Sequence, residues 1–324
     1  MRAELLIRKR IWKLMVVLTA LFGAIVARII SLTVIQGEAL TARGVRQWTQ
    51  EGKVEARRGS IVDRNGETLA LSTTAYIVSV NPRKVTDDAA FAARMAGLLD
   101  VEQQTILNKL KNKNYASVVL KRQGPRATVD AIRTLRAQDE SAAKLLQGLS
   151  FSEDTRRVYI KGQFLAQALG LTNVDSEGQS GLEQQYDTVL KGEDGILLTE
   201  VDRKARTVPQ SNTTYIAPQT GNTVQLTIDA SIQSFAERAM RECIQVNNAK
   251  SVTSIVMDVN TGAILALCMK PDYDPNSPPR DDIKTLTELM RISAVSDAYE
   301  PGSTFKSLTC AAALDAGVAS VGGT

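Results

Sequence analysis

The sequence predicts an α+β protein attached to a single N-terminal transmembrane helix. Three observations support this fold class. A 22-residue apolar run, Leu14–Ile35, follows a basic segment. Helical and strand-like spacings alternate from about residue 50 to residue 215, and two apolar strands joined by a tight turn lie beyond residue 222. The 324 residues are enough for about two domains.

The apolar run Leu14–Ile35 has the length and the flanks of a membrane span. Its helix would reach about 33 Å at about 1.5 Å per residue, which matches a bilayer core. Basic residues before it predict that residues 1–13 stay cytoplasmic and that the bulk of this single-pass protein lies outside the cell membrane. A cleaved signal peptide and a buried soluble helix stay open as alternatives, although both are usually shorter.

Composition excludes several kinds of site. There is no histidine, which removes the Ser-His-Asp triad, the Cys-His dyad and every His-ligated zinc site. Cys243, Cys268 and Cys310 match no metal spacing and are interpreted as small core residues, with a disulfide left open. A net charge of +4 is too small to indicate nucleic acid. We expect no metal, no organic cofactor and no nucleic-acid partner.

Local patterns predict a mixed α+β domain at residues 36–215. Asn65-Gly66 is a turn signal that predicts a hairpin of Gly59–Val62 and Thr68–Ser72. Further strands are predicted at Tyr76–Val80, Ser117–Lys121, Ile196–Val201 and Arg206–Val208. Helices are predicted at Gln36–Gln50, Asp87–Leu99, Val101–Asn112, Thr128–Gln138, Gln163–Leu169 and Ser180–Gly195. The region up to residue 169 concentrates no acids or nucleophiles, which is typical of a scaffold or interaction domain.

A polar stretch, Ser211–Gly221, predicts a boundary before a second domain at residues 222–324. The predicted elements are a strand at Val224–Ile228, a helix to Val246 capped by Asp229 or Ser231, strands at Ser251–Asp258 and Ala263–Met269, and a helix at Asp281–Met290. The turn Asn260-Thr261-Gly262 makes the two later strands a hairpin. An apolar helix then begins near Glu300.

Ser303 and Lys306 form an S-x-x-K tetrad at the start of that last helix. The pattern alone is weak, since Ser141–Lys144 matches it as well. Pro301 and Gly302 distinguish the second occurrence, because they interrupt the preceding secondary structure and place Ser303 at a helix N-terminus.

A helix N-terminus suits nucleophilic chemistry, since its free N–H groups and its dipole favour a developing oxyanion. Lys306 returns to the face of Ser303 one turn later, and the apolar helix predicts that it is partly buried, which helps a lysine act as a base. The alternative is that Ser303 is only an N-cap and Lys306 an exposed first-turn residue.

The segment Arg291–Lys306 resembles the active-site segment of class B penicillin-binding proteins. Other segments match this family in the same order, and together they span essentially the whole chain: Arg58–Gly66, Arg157–Gly162, Gly181–Glu183 with Tyr186, and Asp258–Ala266. Ile160 stands where the family often has proline. The resemblance implies a pedestal, or dimerisation-type, domain followed by a penicillin-binding transpeptidase domain with an antiparallel sheet flanked by helices.

The resemblance also implies an activity, peptide crosslinking of the bacterial cell wall. Ser303 would attack the D-Ala-D-Ala carbonyl of a peptidoglycan stem peptide, with Lys306 as the base, and β-lactams would acylate the same serine. Asp258, Tyr299 and Glu300 are interpreted as structural. The implied partners are stem peptides, β-lactams, the membrane and a polytopic glycan polymerase of division, elongation or sporulation.

One departure from the family lies after Lys306. The S-x-N and K-T-G motifs that the family uses do not occur in Ser307–Thr324. We therefore expect a transpeptidase domain that is incomplete, loosely packed from 222 to 324 and inactive by itself. Two other functions stay open: a non-catalytic, membrane-tethered interaction module, and a β-lactam sensor or β-lactamase, against which the pedestal motifs argue.

Overall fold

The computed structural model describes residues 2–38, 40, 49–200 and 214–322. Its strands are β1 (Thr49–Val54), β2 (Ile61–Val62), β3 (Thr68–Val80), β4 (Val118–Gly124), β5 (Leu149–Tyr159), β6 (Gly195–Glu200), β7 (Thr214–Ile216), β8 (Val224–Gln225), β9 (Val252–Met257) and β10 (Ile264–Lys270). Its helices are α1 (Arg2–Ile30), α2 (Asp88–Leu99), α3 (Gln103–Leu110), α4 (Arg126–Gln138), α5 (Glu140–Leu145), α6 (Ala166–Leu169), α7 (Gly181–Gln185), α8 (Asp187–Leu190), α9 (Ala230–Val246), α10 (Ile283–Met290), α11 (Ser293–Ser296) and α12 (Phe305–Asp315).

The chain divides into two compact units, residues 1–56 with 193–219 and residues 57–192 with 220–324. In the first unit, α1 runs on into a π-helical turn at Ser31–Ile35, and Trp12–Ile35 is long and apolar enough to cross a membrane. This confirms the predicted apolar helix. A small antiparallel sheet completes the unit, with β6 between β1 and β7. The predicted strand Arg206–Val208 and most of the helix at 36–50 lie outside the described residues.

The second unit is built on β3, a strand of 13 residues. β5 pairs antiparallel with β3 from Ala70↔Tyr159 to Val80↔Leu149. β2 and β4 pair with β3 as well, and β8 joins β2 in parallel. The predicted hairpin is confirmed by the β2–β3 pair, whose turn holds Gly66 at φ +86°. The separate strand expected at Tyr76–Val80 is wrong, because β3 continues through it without a break.

Strand β5 was not predicted from the sequence. Its middle, Ser152–Arg157, is a run of polar and charged residues that lacks the apolar alternation of a strand. Asp154 and Arg157 are nevertheless buried, because each is held by charged or backbone partners from distant segments. Tertiary partners thus override the local pattern.

Helices α2, α3 and α4 pack with β3 around the main apolar core. Their buried side chains recur at helical spacing and are Phe91, Met95, Leu99, Ile106, Leu110, Val129 and Ile132. The predicted helices are confirmed here with ends within a few residues, and Asp87 caps α2 through the Ala90 N–H at 2.9 Å. The single helix predicted at Ser180–Gly195 is instead two short helices, α7 and α8, that meet at Tyr186.

Residues 220–230 bind the later part of the second unit to the earlier part. Gly221 N–H donates to the Arg57 carbonyl at 2.9 Å, and Val224 N–H donates to the Ser60 carbonyl at 2.9 Å. The backbones meet so closely that a Cβ on Gly59 would lie 1.9 Å from the Asn222 carbonyl oxygen. Only glycine fits there. The strand predicted at Val224–Ile228 is shortened to β8 because the chain turns there into the cap of α9.

The elements after β8 follow the predicted order. Asp229 caps α9 by accepting from the Ser231 and Ile232 N–H groups, and β9 and β10 form the predicted antiparallel hairpin. Buried residues such as Ala266, Met269, Tyr273 and Leu286 show that 222–290 is packed. The expectation that all of 222–324 is loosely packed is therefore wrong for its first two-thirds.

The three cysteines differ in environment, and all are free thiols. Cys268 on β10 is buried, as expected for a core residue, and burial raises the pKa of its thiol to about 12. Cys243 is half-buried and Cys310 is exposed. The core interpretation is wrong for Cys310, since α12 has no packed apolar environment in the described residues.

Candidate active site

The Ser303 segment is a tight turn that leads directly into a helix. Gly302 has φ +54°, and a Cβ there would meet nothing within 4 Å, so the backbone conformation rather than space favours glycine. Gly302–Thr304 form a 3₁₀ turn, after which α12 begins at Phe305. Ser303 thus lies at a helix N-terminus, as the sequence predicted.

Backbone hydrogen bonds leave the Ser303 N–H available. Thr304 N–H donates to the Pro301 carbonyl at 3.3 Å, and Phe305 N–H donates to the Gly302 and Ser303 carbonyls. Within the described residues, the Ser303 N–H has no backbone acceptor. A donor at this place can hydrogen-bond an oxygen that approaches Ser303.

Lys306 lies one helical turn after Ser303, and both side chains are exposed. The prediction that Lys306 is partly buried is wrong. Every described residue from 295 to 322 except Ala313 is exposed, so no described element packs over this face of α12. The apolar side chains Phe305, Leu308 and Leu314 are therefore also open to solvent.

The chain before Ser303 is fixed to the packed part of the unit. Leu286 on α10 packs with Tyr273, Ala166 and Leu171. An ion pair joins Arg291 to Asp297, and this hydrogen bond lowers the pKa of Asp297 below its ordinary value. The packed part therefore reaches to α10, and the chain is exposed from residue 295 onwards.

The acidic residue of the β9–β10 turn is structural. Asp258 accepts from the Asn260 N–H at 2.9 Å, and this bond holds the pKa of Asp258 below its ordinary value. Gly262 supplies the positive φ of +72° that the turn needs. Tyr299 and Glu300 are exposed next to the turn at Gly302. Their structural interpretation stays a prediction.

Gln233 fixes α9 to the hairpin. Its amide donates to the Leu267 carbonyl at 3.0 Å and accepts from the Leu267 N–H at 2.8 Å, so it binds β10 as a neighbouring strand would. The same amide donates to Glu237 at 2.9 Å, and Glu237 accepts from the Leu165 N–H at 2.9 Å. Sequence reasoning missed this pair, because buried polar residues on a helix look like its solvated face.

A buried charge network joins three of the sequence motifs. Glu183 Oε2 lies 2.6 Å from Arg58 Nε, and Glu183 Oε1 lies 2.7 Å from Arg157 Nε. Arg58 also binds Asp187 at 2.6 Å. Although burial raises the pKa of Asp187, the Gly178 N–H and Arg58 outweigh it and lower this pKa. The segments at 58–66, 157–162 and 181–183, which lie far apart in the sequence, therefore meet in one ion cluster.

Asp63 and Asn65 connect the first hairpin to α9. Asp63 Oδ1 accepts from the Asn65 and Glu67 N–H groups at 2.8 Å each, and Oδ2 accepts from the Ala230 N–H at 3.2 Å. Asn65 also donates to Asp229 at 3.3 Å. Two carboxylates thus satisfy the first N–H groups of α9, which orients this helix and the hairpin packed on it.

Two family models match this chain. The Penicillin-binding Protein dimerisation domain matches residues 53–226, and the Penicillin binding protein transpeptidase domain matches residues 252–322. The first match alone covers more than half of the 324 residues. The chain belongs to the class B penicillin-binding proteins. The resemblance stated from the motifs is thereby confirmed, and so is the α+β fold.

Curated relatives cover nearly the whole of this penicillin-binding protein. It is 32% identical over 311 residues to the probable peptidoglycan D,D-transpeptidase PenA of Neisseria gonorrhoeae, covering 95% of this chain and 51% of that protein. It is 31% identical to stage V sporulation protein D of Bacillus subtilis, covering 91% and 45%. It is 29% identical to the peptidoglycan D,D-transpeptidase FtsI of Escherichia coli K12, covering 91% and 48%. The chain thus spans about half the length of these relatives.

A solved structure supports the fold of this penicillin-binding protein. The crystal structure of a peptidoglycan synthetase from Bifidobacterium adolescentis matches with a TM-score of 0.54 and 25% identity, covering 84% of this chain and 52% of that one. The Arg58–Glu183 network lies in the dimerisation-domain match, and Ser303 with Lys306 lies in the transpeptidase match. The domain boundaries predicted at residues 36, 215 and 222 stay a prediction.

Proposed function

We propose that the whole protein is a serine-type peptidoglycan D,D-transpeptidase of the bacterial cell membrane, with Ser303 as its nucleophile. The observation that carries the proposal is the placement of Ser303 at the N-terminus of α12, with Lys306 one turn later, inside the match to the transpeptidase domain. The printed names of PenA and FtsI give the reaction class.

The reaction balances with the groups of this segment. Ser303 Oγ attacks the carbonyl carbon between the two D-alanines of a stem peptide, and its proton passes to the neutral amine of Lys306. The Ser303 N–H stabilises the oxyanion, and D-alanine leaves with the transferred proton. The amine of a second stem peptide then attacks the acyl ester, which forms the crosslink and returns the proton to Ser303. A β-lactam would acylate the same oxygen.

The exposed state of Lys306 bears on this proposal. Burial helps a lysine act as a base, because it favours the neutral form of the amine, and Lys306 is exposed in the described part of the chain. We infer that the transpeptidase portion present in longer relatives covers α12 and supplies the second oxyanion donor. This chain by itself is then inactive towards penicillin.

Labelling with a fluorescent penicillin tests the proposal. In a protein extended to the length of the relatives, Ser303→Ala should abolish labelling, and Lys306→Ala should slow it by about 10²–10⁴ because base assistance is lost. Ser141→Ala is the matched control, since it removes the serine of the other S-x-x-K tetrad, and it should label normally. Undiminished labelling of Ser303→Ala would show that Ser303 is not the nucleophile.

A second candidate is favoured by the exposed α12. In this alternative the protein is a membrane-tethered module that holds a polytopic glycan polymerase through its helix and its dimerisation domain. The N-terminus would lie in the cytoplasm and the bulk outside. Protease added to intact cells should then degrade the region after residue 35, and protection of that region would rule out this topology.

A further inference from the structure

A polar cavity of about 390 Å³ lies in the second unit, and neither Ser303 nor Lys306 lines it. Its walls come from β4, β5, the loop at 172–174 and the loop at 275–280. Five cationic residues line it, together with the single acidic residue Asp100: Lys121, Arg122, Arg156, Arg157 and Arg280. Small-molecule sites have volumes of about 300–1,000 Å³, so the size suits a ligand, and the walls suit a charged one.

Three of these cations have no acidic partner among the described residues. The Arg156 guanidinium makes no hydrogen bond or ion pair there, although it is half-buried. Arg280 donates to the Thr172 carbonyl at 3.0 Å, and Lys121 donates to the Leu99 carbonyl. Both acceptors are neutral carbonyl groups, so the two positive charges stay uncompensated and the electrostatic potential in the cavity is positive.

Arg157 adds a donor that the protein does not use. Only 5% of this residue is exposed. Its Nε binds Glu183 at 2.7 Å and its Nη1 binds the Gly59 carbonyl at 2.6 Å, but Nη2 is buried without a hydrogen-bond partner among the described residues. Buried donors in folded proteins are almost always satisfied, so this nitrogen, enclosed behind the cavity wall, gives this part of the protein more donors than acceptors.

We propose that this cavity is an oxyanion-binding site that takes a carboxylate or phosphate group. Guanidinium groups bind both anions through paired N–H donors, and Arg156 on β5 and Arg280 in the loop at 275–280 offer two such groups from separate segments. The ligand would join the loop at 275–280 to β5. The site needs neither Ser303 nor the transpeptidase reaction.

Calorimetric titration of the full chain in neutral detergent tests the proposal. Inorganic phosphate is one probe and N-acetylglycine is the carboxylate probe, both at low ionic strength. We expect one saturable site, with Arg156→Gln and Arg280→Gln each weakening its affinity about tenfold. Arg241→Gln is the matched control, because Arg241 is exposed on α9 and does not line the cavity.

The two probes distinguish the source of the anion. Saturable binding of phosphate alone assigns a phosphate ligand, binding of N-acetylglycine alone assigns a carboxylate ligand, and binding of both supports a general oxyanion site. Absence of saturable binding by either probe overturns the proposal, and so does an equal loss in Arg241→Gln. Arg280 is exposed, so its variant keeps the fold and decides the question even if Arg156→Gln is unstable.

Discussion

The Glu183 carboxylate forms ion pairs with two buried arginines, Arg58 and Arg157. Breaking a buried ion pair leaves an uncompensated charge in the interior, which costs about 3–5 kcal/mol. We predict that Glu183→Gln lowers the free energy of unfolding by this amount, measured by urea denaturation followed by circular dichroism.

Glu140→Gln is the control for that measurement. Glu140 pairs with Lys144 at 2.9 Å, but both side chains are more than three-quarters exposed, and such pairs contribute about 0–1 kcal/mol. If Glu183→Gln were no more harmful than Glu140→Gln, the network would not stabilise the fold.

Asp63 gives the protein a pH-dependent stability. Burial raises its pKa, but the N–H donors of Glu67, Ala230 and Asn65 outweigh burial and hold the pKa below its ordinary value of 3.8. A depressed carboxyl pKa stabilises the fold above the unfolded value, and this contribution disappears as pH falls through the folded value.

We predict that the difference in unfolding midpoint between the native chain and Asp63→Asn disappears in acid. The gap in unfolding midpoint between the native chain and Asp63→Asn should be constant from about pH 7 to about pH 5 and should close below the ordinary pKa. Asp281→Asn, at an exposed position, should show no such change. A gap that widened on acidification would contradict the assignment of the Asp63 hydrogen bonds.

At the scale of single residues, the sequence predicted local roles well and distant partners poorly. The sequence predicts the Asn65-Gly66 turn and a helix cap at Asp229 or Ser231, of which the structure selects Asp229, because both features depend on neighbours within a few positions. The bond between Asn65 and Asp229 crosses 164 positions and has no local signal. The same limit explains Lys306, whose exposure depends on what packs over α12.

Strand β8 and the loop before it are the elements that join the two ends of the second unit. Their approach is set by Gly59, where an added Cβ would lie 1.9 Å from the Asn222 carbonyl oxygen. We predict that Gly59→Ala lowers the free energy of unfolding by more than about 3 kcal/mol, because backbone rather than a flexible side chain must move.

Gly97→Ala is the matched control, and it should raise the free energy of unfolding rather than lower it. Gly97 lies within α2 with nothing within 4 Å of an added Cβ, and alanine in a helix is favoured over glycine by about 0.5–1 kcal/mol. Thermal unfolding of both variants separates close approach from helix propensity. A Gly59→Ala variant as stable as the native chain would show that β8 does not need this contact.

At the scale of elements, hydrophobic periodicity predicted the helices that pack against the apolar core. Helices α2, α3 and α4 were recovered because their buried apolar side chains repeat at helical spacing. Strand β5 was not, because charge pairs rather than apolar contacts hold its middle in place. The break between α7 and α8 was missed as well, since Tyr186 gives no breaker signal.

The whole molecule has a packed part that reaches well beyond residue 222. Leu286 is the last buried residue, Leu289 and Met290 are partly buried, and the described residues from 295 to 322 are exposed except for Ala313. We predict that limited proteolysis of the full chain first removes the Ser303 region, so that the resistant product ends between about residues 291 and 302.

Mass spectrometry of the resistant product tests this directly. A product that ended near residue 215 would show that the later elements are not held by β8 and α9. A product that extended to residue 322 would show that α12 is protected. Gly59→Ala should shift the cleavage towards residue 220 if β8 is the attachment.

The pairing of β8 with β2 has a consequence during synthesis of the chain. Ile61 pairs with Val224, about 160 positions later, while β3 follows β2 at once. A ribosome that adds about 5–20 residues per second needs roughly 8–30 s to deliver β8. Over that time the nascent chain presents an unfinished sheet edge that other nascent chains or chaperones can occupy.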